Sequence, residues 1–437
     1  MSKIKFHRPK GTNDFFKEDF YFFNLIFNTF KKIVEFYNFG RIETPILEEA
    51  NLFLKGVGKM TDICEREMYC LKTKKGDVWA LRPEGTSPVA RAYLENGLKE
   101  WPQPVRLWYF GPFFRHEKPQ SGRYRQFWQG GIEIINSSDP SLDVEVLQIF
   151  LIFLKELKIK NFFVEVNSLG CDVCQEEYKK NLNHFLKTKE RELCENCKIR
   201  RKENILRVFD CKEEKCQKIF KLAPQMIDYL CFECKTHFTS FLEMLDALNY
   251  PYTLNPFLVR GLDYYTKTVF EIFEQKKDSQ KEKKEGEKES EEERRLALIA
   301  GGRYDNLIQN LGGERTPAVG GAFGLERLME ILKVEKHFLP KKETIPVFLV
   351  QIGNVSKVKT LKLMETLYQE KIKFFSGLGK DSLKAQLKLA DKLKVEYSFI
   401  FGQKEALEGK VLVRKMKDGT QDLLKIEKAI EKIKKTK

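Results

Sequence analysis

In the run Arg125–Ile135, the residues Phe127, Gln129 and Glu133 sit at alternating positions and share one face if the run is a strand. Read the same way, Leu81-Arg-Pro-Glu-Gly-Thr86 sets Glu84 and Thr86 on one side, with Gly85 between them. A floor carrying Glu, Gln and Thr suits an ammonium group and a small polar side chain. Gly130 and Gly131 are expected to leave room for something to lie against the backbone. Either segment alone reads as the exposed face of an amphipathic sheet. The guanidiniums around them change the reading: Arg115 ends one extended run, and Arg123 and Arg125 open the next. Planar forks suit phosphate oxygens better than ammonium points do. Further on, Val259-Arg-Gly-Leu-Asp-Tyr-Tyr-Thr266, Ala300-Gly-Gly-Arg-Tyr-Asp305 and Gly320-Gly-Ala-Phe-Gly-Leu-Glu-Arg-Leu328 set Gly-rich turns beside Arg260, Arg303 and Arg327. None matches a P-loop or dinucleotide fingerprint, so phosphate handling here rests on arginines. With five histidines in the chain, no Ser/His/Asp or Cys/His arrangement stands out.

Eight of the ten cysteines form four pairs: Cys171/Cys174, Cys194/Cys197, Cys211/Cys216 and Cys231/Cys234. Three have a two-residue gap and one a four-residue gap, spacings at which both thiolates of a pair reach one tetrahedral ion. Two readings stay open: two closed four-thiolate zinc sites of structural role, or small buried hydrophobes in a helical module. Disulfides are disfavoured in a chain without a secretory start.

The elements that must position these groups can be read in outline. Asp19–Tyr37 is apolar almost all round, which predicts a helix capped by Asp19, ending near Gly40, and buried or at a subunit interface. Arg41–Leu47 reads as extended. Pro104–Arg115 and Arg125–Ile135 read as antiparallel strands joined by a basic loop, and Thr268–Phe273 with Leu296–Ala300 as a second pair. Between the latter two lies Lys276–Arg295, a stretch with no apolar residue that reads as a solvated loop tip. The Cys-rich block at 168–245 reads as a helical insertion. After a linker near Lys333–Thr344, the tail alternates strand-like runs (Pro346–Ile352, Glu396–Gly402, Lys410–Arg414) with helical ones. One of the latter, Ser382–Lys394, sets Leu383, Leu387 and Ala390 on one face. That predicts a small α/β domain.

At 437 residues the chain is long enough for two or three domains, and its 42% hydrophobic and 32% charged residues are those of a globular protein. The start has no apolar core before a cleavage site, and the most apolar run, near Val144–Leu154, is short and interrupted. The expectation is a cytoplasmic chain, neither secreted nor membrane-spanning. The net charge of +15 is uneven: residues 346–437 hold 21 Lys+Arg against 11 Asp+Glu, a net +10. A polyanionic partner and a merely Lys-rich, solubilising composition both fit that count.

In this order, the segments resemble the histidine–tRNA ligase family, over nearly the whole chain. Arg41-Ile-Glu-Thr-Pro45 resembles the first class II motif, at the dimer interface. Phe114-Arg115-His-Glu running on to Glu133 resembles the second, and Gly324-Leu-Glu-Arg327 the third. Arg260-Gly-Leu-Asp-Tyr-Tyr265 and Gly301-Gly-Arg-Tyr-Asp305 resemble the two histidine-specific signatures. The resemblance implies an α+β fold: an antiparallel sheet with flanking helices (1–167 and 246–332), the insertion (168–245) and a C-terminal α/β anticodon-binding domain (346–437). It implies that Glu84, Gly85, Thr86 and Gln129 hold the ammonium end of histidine, and that Glu133 and Tyr265 meet the imidazole nitrogens in a pocket lined by Tyr264 and Tyr304. Arg115 and Arg260 would hold the α-phosphate of ATP from two sides, Arg123 and Arg327 its tail and adenine. Lys118 and Gln120 would face the acceptor end of tRNA(His). Mg²⁺ on the β- and γ-phosphates and a homodimer are also implied. Two departures are visible: Lys276–Arg295 lengthens a hairpin that is usually short, and the family as a whole needs no zinc. The runner-up is a catalytically inactive histidine-binding paralogue that regulates a histidine-biosynthetic enzyme. Such relatives typically lack the tail and lose the arginines. A class II ligase for another amino acid is a third reading, against which the paired tyrosines after Arg260-Gly-Leu-Asp argue.

Overall fold

The computed structural model describes residues 6–120, 122–275, 297–334 and 345–435. The chain divides into two compact units, Met1–Leu339 and Pro340–Lys437.

The first unit is built on an eight-stranded sheet. Its order is Gly40–Arg41, Val105–Phe114, Gln126–Ile135, Ala318–Gly324, Ala297–Arg303, Thr266–Glu274, Phe162–Ser168 and Thr253–Leu254. The short outermost strands pair in parallel and every other pairing is antiparallel. Both hairpins read from the sequence are present, because alternating aromatic and β-branched residues fit a pleated surface buried on both sides. The loop Lys276–Arg295 lies outside the described residues.

Strand parity divides the sheet into two faces. Trp108, Phe110, Ile132 and Ile134 point to one, where they pack with helices Lys17–Phe36, Pro140–Glu156 and Leu325–Val334. Here Phe30, Phe150, Phe153 and Phe323 interlock, with the Phe30 and Phe323 rings 4.8 Å apart at 75°. The apolar run Val144–Leu154 is the middle of Pro140–Glu156, begun by Pro140 in its first turn and by Asp139, whose carboxylate accepts from Ser141 N at 2.8 Å. To the opposite face point Leu107, Tyr109 and Ile135, covered by Phe53, Val89, Leu307 and Ile308.

The first helix differs from expectation at both ends. It starts at Lys17, and Asp19 acts from its third position, accepting from Phe16 N at 3.1 Å. It ends at Phe36, two residues before Asn38, which takes the left-handed conformation at φ 60. Gly40 already belongs to the sheet. Phe22, Ile26, Phe30, Ile33 and Val34 are buried, whereas Phe36 is 87% exposed.

The Cys-rich segment contains the helices Asp172–Thr188, Glu195–Glu203, Glu214–Phe220 and Phe232–Ala247 around a core of its own. The last of these continues into the main core through Phe238, Phe241 and Leu245.

The second unit has a five-stranded sheet ordered Phe374–Ser376, Val347–Gln351, Tyr397–Phe401, Lys410–Lys415 and Gln421–Lys425, parallel over the first three strands and antiparallel after. Of these strands, Phe374–Ser376 is too short and Gln421–Lys425 too polar to stand out in sequence. The helix Leu383–Lys392 is capped by Ser382. Of the expected face, Ala390 is buried and Leu387 packs against the core, whereas Leu383 is 39% exposed; Gln386 is buried instead and exchanges hydrogen bonds with the backbone of Gln351 at 3.0 and 2.8 Å. An amide that satisfies a strand end from inside a core is invisible to an apolar count. Among the described residues, no helix is long and apolar enough to cross a membrane.

Candidate functional site

On the face of the large sheet carrying Tyr109, a cavity of about 510 Å³ opens between the two hairpins. Ten of the residues singled out in sequence line it: Glu84, Gly85, Thr86, Arg115, Arg123, Gln129, Arg260, Tyr264, Tyr265 and Arg327. Glu133 and Tyr304 lie beneath its floor, 1% and 2% exposed. Lys118 and Gln120 stand outside the lining, Lys118 exposed and Gln120 half-buried.

The floor is organised around Glu133. Tyr304 donates its hydroxyl to one carboxylate oxygen at 2.5 Å and Thr86 donates to the other at 2.8 Å. Burial pushes the Glu133 carboxyl up to about 8, outweighing the hydrogen bonds from Tyr304 and Thr86, with the Glu84 charge adding to the rise. Tyr109, Tyr264 and Tyr304 are pushed well above the ordinary phenol range, again mainly by burial. The Tyr264 ring sits 4.7 Å from Tyr265 and 5.6 Å from Tyr304, which makes an aromatic wall.

Glu84 reaches the floor by a different route from the one read in sequence. Its strand ends at Leu81, and Thr86 is the first residue of the helix Thr86–Glu95. The two Glu84 oxygens accept from Thr86 N at 2.6 Å and Ser87 N at 2.9 Å, satisfying amides that a helix start leaves orphaned. The helix start, rather than strand parity, is what brings Glu84 and Thr86 together. The glycines also act differently from expectation. A Cβ on Gly131 would stand 2.4 Å from the Tyr109 ring, and one on Gly130 2.4 Å from Phe323, so the room they leave is filled by the chain's own rings. Gly85 makes the same allowance for Tyr109, at 2.4 Å.

Four of the guanidiniums that line the cavity come from the arginines singled out in sequence. Arg115 donates to Pro83 O at 2.9 Å and stacks over Phe127 at 5.3 Å. Arg123 and Arg115 share Glu117, at 3.3 and 3.9 Å. Arg260 pairs with Glu271 and lies over the Tyr265 ring at 5.6 Å. Arg327 is held by Gly122 O at 3.0 Å and by Ala297 O, and burial together with Arg123 and Arg115 lowers it to about 10. Preorganised, mutually repelling cations of this kind are poised for a polyanion. Two other arginines turn away. Arg125 donates to Glu117 O at 3.3 Å. Arg303, grouped in sequence with a Gly-rich turn fit for a nucleotide, is fully buried against Asp143 and Asp305, beneath the sheet rather than in the cavity.

Sequence reasoning gave no role to Tyr109 or Glu271, nor to Glu117 and Glu326, which stand inside the second and third motifs. The last is pushed up to about 7 by burial and accepts from Trp128 N at 3.0 Å. It also missed that the insertion adds Arg200, Arg207, Asp210 and Lys212 to the lining. Of the carboxylates that line the cavity, Glu117 and Glu271 are engaged by arginines.

Comparison with known proteins shows the family. A family model described as "Histidyl-tRNA synthetase" matches residues 11–328, and one described as "Anticodon binding domain" matches residues 347–436. A histidine–tRNA ligase from Caldicellulosiruptor saccharolyticus is 40% identical over 432 residues, 99% of each chain. The crystal structure of apo Staphylococcus aureus histidyl-tRNA synthetase superposes with a TM-score of 0.75 at 30% identity, covering 98% of this chain and 100% of that one. A Bacillus halodurans structure described as an ATP phosphoribosyltransferase regulatory subunit/histidyl-tRNA synthetase, at 19% identity and a TM-score of 0.61 over 89% of this chain and 97% of that one, shares the fold alone. Catalytic fold, arginine-rimmed cavity and full-length similarity all lead to one assignment: this chain belongs to the histidyl-tRNA synthetase family.

Proposed function

We infer that this chain is a histidine–tRNA ligase, which joins L-histidine to tRNA(His) at the expense of ATP. The observation that carries the reading is the buried Glu133–Tyr304 pair, joined through Thr86 to the floor of a cavity lined by Arg115, Arg123, Arg260 and Arg327. The histidine carboxylate attacks the α-phosphorus in line, an oxygen–phosphorus bond forming as the bond to diphosphate breaks. The terminal ribose hydroxyl of the tRNA then takes the acyl group from the adenylate and releases AMP. Such phosphoryl chemistry needs positioning and charge neutralisation more than a protein nucleophile.

Glu84, with its oxygens fixed by two helix amides, keeps lone pairs for the ammonium group, which Gln129, Thr86 and the Gly85 backbone border. Glu133 and Tyr265 take the imidazole nitrogens, between Tyr264 and Tyr304. Arg115 and Arg260 approach the α-phosphate from opposite walls, and Arg123 and Arg327 hold the rest of ATP. Mg²⁺ bound with ATP would neutralise phosphate charge, beside a wall in which Glu117 and Glu271 are already engaged by arginines. Lys118 and Gln120, outside the cavity, meet the tRNA acceptor end, and the basic second unit reads the anticodon. The eight paired cysteines take no part in the chemistry and serve as structural zinc ligands.

A homodimer is part of this reading. In the small sheet Leu47–Glu49, Val78–Leu81 and Cys70–Lys72, one face presents Leu47, Trp79 and Leu71, which are 39%, 43% and 51% exposed. An uncovered apolar face suits a subunit interface. Sedimentation should give twice the chain mass, and Leu71→Glu with Trp79→Glu should halve it.

The inactive-paralogue reading gains no support, because Arg115, Arg260 and Arg327 all line the cavity. The deciding experiment is ATP–pyrophosphate exchange across all twenty amino acids. Histidine alone should support it, since buried polar groups left unpaired by an isostere cost ~1–3 kcal/mol each. Equal exchange with glutamine or proline overturns the reading.

A further inference from the structure

The eight cysteines of the insertion converge in two groups that sequence spacing does not specify. Cys171, Cys174, Cys231 and Cys234 form one, and Cys194, Cys197, Cys211 and Cys216 the other, with the four sulfurs of each group within 4.8 Å of one another. The first pair therefore meets the last, and the second meets the third. Sulfur–sulfur distances of 3.5 Å (Cys171 to Cys174), 3.9 Å (Cys171 to Cys231) and 3.7 Å (Cys194 to Cys211) are far from a disulfide bond of roughly 2.05 Å. They match the roughly 3.8 Å edge of a tetrahedron built from zinc–sulfur bonds of about 2.3 Å.

Backbone amides point at these sulfurs. Cys231 N donates to Cys174 Sγ at 3.1 Å, Cys194 N to Cys216 Sγ at 3.3 Å, and Glu213 N to Cys211 Sγ at 3.4 Å. Cysteines buried as hydrophobes have no reason to gather in fours or to collect amide donors, whereas metal-bound thiolates are stabilised by both. Four protein ligands leave no position for water, so the role is structural.

We propose that the insertion holds two zinc-class ions in nested four-thiolate sites, the outer one closing its base and the inner one fixing the wall it adds to the active-site cavity. The outer ligands stand where the chain leaves and rejoins the main sheet. Cys171 follows Gly170, whose carbonyl accepts from Lys267 N at 2.7 Å, and Cys231 precedes the helix Phe232–Ala247. The inner ligands bracket residues 198–210. From that stretch Arg207, 7% exposed, pairs with Asp62 and Asp210, and Asn204 donates to Asp263 Oδ1 at 2.8 Å. Arg207 and Asp62 both line the cavity. The ionic clasp therefore hangs on a loop that the inner ion closes. The pairing and its link to the cavity extend beyond the assignment of function and do not depend on which amino acid is activated.

Full-length protein purified without chelator should carry two zinc ions per chain by elemental analysis and native mass spectrometry. After cobalt exchange it should show the thiolate charge-transfer and visible bands of tetrahedral four-sulfur sites. Cys171→Ser/Cys231→Ser and Cys194→Ser/Cys211→Ser should each retain one ion, because each takes both ligands from one nested site. In any other pairing of the four Cys pairs, each double variant strips a ligand from both sites and both ions are lost. An arm that needs no variant is alkylation of the unaltered chain during stepwise chelation. The thiols should become reactive in two sets of four matching the two groups, and release of the inner set should open the amides of residues 59–62 to hydrogen exchange while the main sheet stays protected. A folded chain without metal whose eight thiols alkylate freely, reactivity in sets that cross the groups, or unchanged exchange at residues 59–62 after the inner set is released overturns the proposal.

Discussion

The Tyr304 hydroxyl donates a 2.5 Å hydrogen bond to Glu133 Oε2, and both residues are buried beneath the cavity floor. The strand opposite explains how so bulky a pair fits. Gly320 lies directly across from Glu133 in the sheet, and a Cβ there would stand 1.7 Å from Glu133 Oε2 and 2.6 Å from Ile132 O.

Glu133 should make the stability of the fold fall with rising pH. Its carboxyl titrates at about 8 in the folded chain against 4.5 for the ordinary group. Between those values the folded chain keeps a proton that the unfolded chain has lost, so each step upward in pH destabilises the fold, and the effect ends above about 8 where both forms are ionised. Glu133→Gln, neutral at every pH, should have a melting temperature that declines less across this window. Parallel curves for variant and parent would show that Glu133 is ionised in the folded chain.

Gly320→Ala should be among the most damaging single-methyl additions in the first unit. The close atoms include a backbone carbonyl and a carboxylate locked by two hydrogen bonds, neither of which can yield cheaply. A loss of ~1–3 kcal/mol or more is expected by urea denaturation, together with weakened histidine binding by calorimetry. Gly261→Ala, where nothing lies within 4 Å of the added carbon, should leave stability unchanged.

How much of this site was legible depended on the distance over which its partners act. Gln129 and Glu133 could be placed on one face because a strand repeats every two residues, and the hairpin containing them is local. Glu84 was assigned to the right neighbourhood by the wrong element. The missed signal was Thr86-Ser87-Pro88, a proline in a first helical turn behind a polar residue. Glu271 behind Arg260 and Glu117 between Arg115 and Arg123 are acidic residues in a chain with 63 of them, and only tertiary contact selects them. Arg207 belongs to a segment set apart by its cysteines, so nothing local tied it to the cavity. Arg303 misled for the converse reason, since its motif spacing resembles that of a ligand-binding turn while its partner Asp143 lies 160 residues away.

Asp143→Ala should destabilise the first unit without touching the cavity directly. Arg303 is fully buried, its Nε lies 3.1 Å from Asp143 Oδ2, and its remaining donors reach Ser137 O at 2.7 Å and Asp139 O at 3.0 Å. Although burial raises Asp143, Arg303 and His237 more than offset it and hold the carboxyl below its usual range. Removing it leaves the buried guanidinium with Asp305 at 3.3 Å as its remaining carboxylate partner, and breaking a buried ion pair typically costs ~3–5 kcal/mol. Because Tyr304 follows Arg303 in the chain, the variant should also weaken histidine binding. An unfolding midpoint equal to the parent's would mean that Asp305 alone suffices to hold Arg303.

Arg260→Ala should separate chemistry from binding. Its guanidinium is steadied by Glu271 and by the Tyr265 ring before any substrate arrives, so it needs no reorganisation as charge develops at the α-phosphorus. Removing one preorganised donor of this kind typically lowers kcat by ~10²–10³. In rapid-quench measurements the variant should therefore form adenylate slowly while its equilibrium affinity for histidine stays near the parent's, because the loss falls on the transition state. Glu271→Gln keeps the cation but loosens its anchor, and a smaller fall in the same rate constant is expected. Near-normal adenylate formation in Arg260→Ala would remove this residue from the reaction. A parallel loss of histidine affinity would instead assign it to holding Tyr265 in place, since the two side chains are in contact.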